Sequence, residues 1–202
     1  LTMPSRQTAM LSATWPTEVR ELASTFLKDA VQVTIGSKSL SANADVKQIV
    51  EVMEPDARLN RLLALLKQYF KGNNKILIFV LYKKECAFIE QLLRKKGYPM
   101  AAGIHGDLSQ QSRDSVLANF KSGRNPIMIA TDVAARGLDV DDIELVINYS
   151  FPLTIEDYVH RIGRTGRAGK DGIAITLFCS LDKALAGSLG GILRKNNVPI
   201  PE

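Results

Sequence analysis

Six short runs of β-branched and other apolar residues punctuate this chain: Lys47–Val52, Lys75–Tyr82, Met100–His105, Pro126–Thr131, Glu144–Asn148 and Gly172–Phe178. Runs of this length and composition, bounded by polar segments, read as strands buried on both faces. Amphipathic segments separate most of them. Leu59, Leu62, Leu63 and Leu66 repeat at helical spacing, as do Cys86, Ile89, Leu92 and Leu93, and Val116, Leu117 and Phe120. Ser109 and Ser180 stand at expected helix N-caps, and Gly97 and Gly123 at expected C-terminal caps. Strand alternating with helix dictates an α/β fold, a parallel sheet with helices on both faces and right-handed crossovers. In such sheets ligands gather at the carboxyl ends of the strands.

The 202 residues, 46% of them hydrophobic, suffice for one large domain, or a domain with an appendage, around a real core. The first 36 residues break the pattern. RQTAMLSAT reads as a strand ending in a polar turn, Pro16–Leu27 as a helix with Pro16 at its start, and Ala30–Ile35 as a further strand. SKSLSANAD, Ser37 to Asp45, is small and polar like a linker. The expected organisation is therefore the tail of a preceding domain (1–36), a linker (37–45) and a main domain (46–202). The short first piece cannot cover both faces of its strands, so self-association through residues 1–36 is an expected contact. Cys86 and Cys179 read as buried thiols, which suits a reducing compartment. No apolar run is long enough to span a membrane, and LTMPSRQTAM lacks the apolar core of a signal peptide. The expectation is an intracellular, soluble chain.

The unusual polar residues fall just after strands. Lys83-Lys84, Gly106-Asp107 and DVAARGLD (Asp132–Asp139) each follow one, and YSFP and a short helix precede HRIGRTGRAG (His160–Gly169). Order alone therefore predicts that they share one edge of the sheet. The last stretch repeats Arg161, Arg164 and Arg167 against Gly163, Gly166 and Gly169. It is not a G-x-x-x-x-G-K-[ST] phosphate loop: with Gly169-Lys170 as the Gly-Lys, Arg164 stands where the first glycine belongs and Asp171 where Ser or Thr belongs. The chain carries no complete nucleotide-binding loop of its own. A serine hydrolase elbow, G-x-S-x-G, is absent too. His105, Asp107, Asp132, Asp139 and His160 do not have metal-ligand spacing, and the two histidines read better as loop-orienting groups. Gly163 should end the helix that begins near Ile155, leaving Arg164 and Arg167 on a loop where both can aim at one anion. Planar guanidinium forks suit terminal phosphate oxygens better than lysines do. Arg161, on the last helical turn, is the one that should not reach it. The net charge of +5 is compatible with a polyanionic partner.

ATDVAARGLD followed by HRIGRTGR closely resembles motifs V and VI of the DEAD-box RNA helicases. Ser12-Ala13-Thr14 resembles their motif III, Leu77–Lys83 their motif IV, and HGD with Gln110-x-x-Arg113 the motif between IV and V. The resemblance covers essentially the whole chain in order and spacing. It implies a RecA-like fold, related to P-loop NTPases but lacking its own P-loop: the end of a first helicase domain, a linker, and all of the second. The absent P-loop and DEAD motifs then read as a truncation. The resemblance further implies an ATP-dependent enzyme that closes on ATP–Mg²⁺ and single-stranded RNA and unwinds RNA duplexes or remodels RNA–protein complexes. Arg164 and Arg167 would be arginine fingers, with Gly137 and Asp139 in the ATP site and Asp139 accepting from the ribose. Gly106, Gln110, Arg113 and Thr131 would hold the RNA backbone without reading sequence. Ser12, Ala13, Thr14 and His160 would couple the two sites, and the missing first domain would hold most of the ATP and Mg²⁺. LIFVLYKKE, HGDLSQQSR and the ending VPIPE resemble the nucleolar ribosome-biogenesis branch, implying a nuclear, nucleolar location. The competing reading is a non-enzymatic α/β RNA-binding or scaffold module. A DNA translocase of the same superfamily is disfavoured by His160.

Overall fold

The structure is a computed structural model describing residues 3, 5–12, 15, 17–34, 43, 45–135 and 138–201. The chain divides into two compact units, Leu1–Leu40 and Ser41–Glu202.

In the first unit, helix α1 spans Thr17–Phe26. Pro16, expected at its start, lies outside the described residues. The strands expected over RQTAMLSAT and Ala30–Ile35 do not form among the described residues, which carry no strand on either side of α1. A strand exists only through hydrogen bonds to a neighbour, and these two flanks do not pair with each other. Leu22, Phe26, Val31 and Val33 are exposed.

The second unit holds all six expected strands: β1 (Val46–Met53), β2 (Lys75–Val80), β3 (Ala101–Ile104), β4 (Ile127–Thr131), β5 (Ile143–Asn148) and β6 (Gly172–Cys179). They form one sheet in the order β1-β6-β5-β2-β4-β3, every neighbouring pair parallel. The helices are α2 (Arg58–Tyr69), α3 (Lys83–Lys95), α4 (Gln110–Lys121), α5 (Asp132–Ala135), α6 (Ile155–Ile162) and α7 (Ala186–Lys195). Ser109 caps α4, accepting from the Ser112 N–H at 3.2 Å. Gly97 and Gly123 follow α3 and α4 with φ of +96° and +76°, the left-handed turn expected past a helix end. Ser180 is not an N-cap. Strand β6 runs one residue further, the Cys179 N–H donates to Asp182 at 2.8 Å, and a 3-10 turn over Ser180–Leu185 precedes α7.

The strand period of two sorts side chains onto two different faces. One carries Ile76, Ile78, Val80, Ile127, Ile129, Leu145, Ile147, Ile175 and Leu177, packed on Leu62, Leu65 and Leu66 of α2 and Cys86, Ile89 and Leu93 of α3. Burial pushes the Cys86 thiol up to about 12, and both cysteines are free and buried. The other face carries a buried polar band beneath α6. Tyr158 donates to Gln48 of β1 at 2.9 Å, and Asn148 of β5 donates to Thr176 of β6 at 3.0 Å. Phe151 stacks with Tyr158 and meets Phe178 edge-on. Among the described residues no helix is long and apolar enough to cross a membrane.

Candidate functional site

The carboxyl ends of β2, β3 and β4 carry one group of the expected residues. Gly106 and Asp107 leave β3, Lys83 opens α3 after β2, and Thr131 closes β4, where Ala130 pairs with Ile104. Lys83 pairs with Asp107 at 2.9 Å across this edge, with both side chains more than half exposed, a contact of at most about 1 kcal/mol. Gln110 and Arg113 lie on the first turn of α4, where Gln110 donates to Asp114 at 2.8 Å. Arg113 Nε and His105 Nδ1 are buried with no hydrogen-bond partner. An unpaired buried donor of this kind calls for a partner. Gly106 has an ordinary φ and open space where a Cβ would stand, so the fold itself does not require glycine there.

The arginine stretch keeps to that edge only in part: His160, Arg161 and Arg164 share a pocket with Phe79 and Asp132 at the carboxyl ends of β2 and β4, and the residues after Arg164 leave it. Helix α6 is eight residues long and carries the chain about 12 Å back across the sheet face. Arg161, near its end, still reaches the carboxyl edge. Thr165 and Gly166 instead pack against strand beginnings: Thr165 donates to the Ile143 carbonyl, Asn43 donates to the Gly166 carbonyl at 2.6 Å, and the Gly172 N–H donates to the Asp45 carbonyl at 2.9 Å. The candidate residues therefore form two groups, one on the edge and one on the face.

Arg161 is the most enclosed side chain of the face group, 1% exposed. Its Nε and Nη2 fork onto the two carboxylate oxygens of Asp132 at 2.6 and 2.7 Å, and its Nη1 donates to the Ser150 carbonyl at 2.7 Å. The guanidinium also lies 5.0 Å from the Phe79 ring centroid. Two registers meet in this pairing. Asp132 is the first residue past β4, and Arg161 follows Tyr158 by three positions, on the buried side of α6. The sequence excluded Arg161 from the anion loop but did not show its partner. The buried helical face was the available signal.

Gly163 ends α6, as its position suggested. Beyond it, Arg164 Nη1 donates to the Leu138 carbonyl at 3.1 Å and Arg167 Nε to the Gly163 carbonyl at 2.8 Å. Burial, and then the charge of Arg167, lower the Arg164 pKa. Among the described residues no carboxylate pairs with either arginine within 4 Å. Arg164 is thus half-buried, under the like charge of Arg167, and neither arginine has an ion-pair partner among the described residues. Asp139, exposed, follows the Leu138 that Arg164 touches. Arg164, His160, Arg161, Asp157, Asp132, Ala135 and Phe79 line a shallow pocket of about 50 Å³. Gly137 lies outside the described residues, as do Ala13 and Thr14, while Ser12 is exposed in the first unit. Among the described residues no three His, Cys, Asp or Glu stand together to hold a metal.

Residues 57–169 match the family described as Helicase conserved C-terminal domain. The chain is 56% identical over 209 residues to the ATP-dependent RNA helicase DBP3 of Ajellomyces capsulatus, covering 99% of this chain and 43% of that protein. The DBP3 of Saccharomyces cerevisiae is 56% identical over 201 residues, 98% and 38% of the two lengths. Among solved structures, S. cerevisiae Dbp5 bound to RNA and ADP BeF3 is similar with a TM-score of 0.78 and 27% identity, over 94% of this chain and 49% of that one. The yeast DEAD-box splicing factor Prp28 is similar with a TM-score of 0.71 and 32% identity, over 95% and 42%. This chain spans less than half the length of each of these relatives.

Proposed function

The chain belongs to the helicase conserved C-terminal domain family, in its DEAD-box RNA helicase branch with a RecA-like sheet, and on that footing we propose that it supplies the arginine fingers and half of the RNA site of an ATP-dependent RNA helicase. The observation that carries this reading is Arg164, half-buried and under the like charge of Arg167, with neither arginine paired to a carboxylate among the described residues. Such a pair is costly until an anion arrives. The γ-phosphate of ATP, bound by another domain of the same protein, is the anion proposed, with Gly137 and Asp139 completing this chain's side of the nucleotide site. A Mg²⁺ accompanying the nucleotide is proposed to be held mainly by that other domain.

RNA is proposed to run along the carboxyl edge, its phosphates over Gly106, Gln110, Arg113 and Thr131. The open space at Gly106 and the unpartnered Arg113 Nε support this. Such contacts position a strand without reading it. If ATP and RNA each bridge two domains, each favours the closed state and so strengthens the other. Ser12-Ala13-Thr14 and His160 are proposed to couple them. Hydrolysis then removes the γ-phosphate and with it the grip of the fingers. The wording of motif IV and of the HGDLSQQSR run supports a further proposal, a nucleolar role in ribosome biogenesis, which imaging of the tagged full-length protein tests.

The direct experiment is Arg164→Ala and Arg167→Ala in the full-length protein. Each should lower RNA-stimulated ATP hydrolysis by about 10³–10⁵-fold, the usual worth of an arginine finger, with an unchanged melting temperature. Wild-type turnover in either variant would overturn the assignment.

A further inference from the structure

We infer that Glu85 is a positioning residue that holds the RNA edge and the arginine face of this domain in one geometry; the inference rests on the helicase reading above. Glu85 sits in the first turn of α3, half-buried, and both its carboxylate oxygens are used. Oε2 accepts from the Leu81 N–H at 3.1 Å, and Oε1 accepts from the Ser150 hydroxyl at 2.7 Å. Leu81 is the first residue past β2, beside Lys83. Ser150 lies two residues past β5 and presents its carbonyl to Arg161 Nη1 at 2.7 Å. Arg161 in turn forks onto Asp132, the first residue past β4. Leu81, Glu85, Ser150, Arg161 and Asp132 therefore form one hydrogen-bonded chain across the carboxyl ends of three adjacent strands, β5, β2 and β4.

Orientation rather than attachment is what this chain adds. The N–H groups of Tyr149 and Ser150 already donate to the Phe79 carbonyl at 3.0 and 3.4 Å, so β2 and β5 stay joined without Glu85. What the carboxylate fixes is the side chain of Ser150, the residue whose carbonyl receives Arg161 Nη1. Arg161 and Arg164 line one pocket three residues apart, and through it the inferred effect of Glu85 reaches Arg164. A first-turn carboxylate acting only on the helix dipole would instead cost stability alone, independently of Ser150.

The test measures RNA-stimulated ATP hydrolysis of the full-length protein against RNA concentration. Glu85→Ala and Ser150→Ala should each lower the maximal rate roughly ten-fold, since small misplacements of catalytic groups are that costly. The double variant should fall no further than about two-fold below the weaker single, because both remove the same link. Glu85→Gln should stay within about two-fold of wild type, since its carbonyl can accept from Leu81 and its amide can donate to the Ser150 oxygen. Single effects that multiply in the double variant, a Glu85→Gln loss equal to that of Glu85→Ala, or wild-type rates in all variants would overturn the inference while leaving the helicase reading intact. Absence of RNA-stimulated hydrolysis in the wild-type protein would overturn that reading and this inference with it.

Discussion

Arg161 and Arg164 share a motif and a charge, yet their surroundings demand opposite things of them. Arg161 is enclosed, forked onto Asp132 and stacked near Phe79. Removing it leaves a carboxylate in a largely buried place, so Arg161→Ala should destabilise the fold by about 3–5 kcal/mol, read by urea denaturation. Arg164 makes one hydrogen bond to a carbonyl and stands against the like charge of Arg167. Its replacement by alanine should change stability by no more than about 0.5 kcal/mol in the same assay. Equal destabilisation by both substitutions would mean that Arg164 is a structural group. From one landmark, Gly163, the sequence put Arg161 on the last turn of α6 and Arg164 beyond it. It could not show the Asp132 partner 29 residues away, because a pair of that kind depends on which strand ends adjoin.

At the scale of elements, the loop after α6 is held by strand beginnings. A Cβ on Gly172 would run into the Thr165 side chain and the Gly166 backbone, so β6 can start there only as glycine. Gly172→Ala should cost about 1–3 kcal/mol of stability through overpacking, and should weaken RNA-stimulated hydrolysis by shifting the arginine loop. Gly106 is the contrast: the space around it is open, so Gly106→Ala should leave the melting temperature unchanged and weaken RNA binding, measured by anisotropy with labelled RNA. Unchanged RNA affinity would remove Gly106 from the proposed edge. The strands themselves were legible because runs such as KILIFV are apolar on every residue after Lys75 and buried throughout. The two segments flanking α1 were misread because β-branched content signals a strand only where a neighbouring strand exists.

For the molecule as a whole, the candidate residues are complete as a surface and incomplete as a nucleotide site. The arginines are present, while a phosphate-cradling loop and a metal-holding cluster are not found among the described residues. The chain of residues 1–202 alone should therefore hydrolyse no ATP. It should bind single-stranded RNA with an affinity that falls steeply between about 50 and 200 mM salt, as phosphate contacts require. Hydrolysis by a clean preparation, or binding indifferent to salt, would contradict the proposed division of labour.

Local chemistry was enough to specify the six strands of the second unit, the end of α6 at Gly163, the absence of a self-contained phosphate loop and the family motifs, because apolar runs, caps and short motifs act over a few residues. The strand order β1-β6-β5-β2-β4-β3, the return of the arginine loop to the strand beginnings, and the Glu85–Ser150–Arg161–Asp132 chain came only with the fold. The shortest of these links joins residues 11 positions apart and the arginine loop is tied to Asn43 across 123, and such contacts follow from which strands lie side by side, which no local pattern encodes.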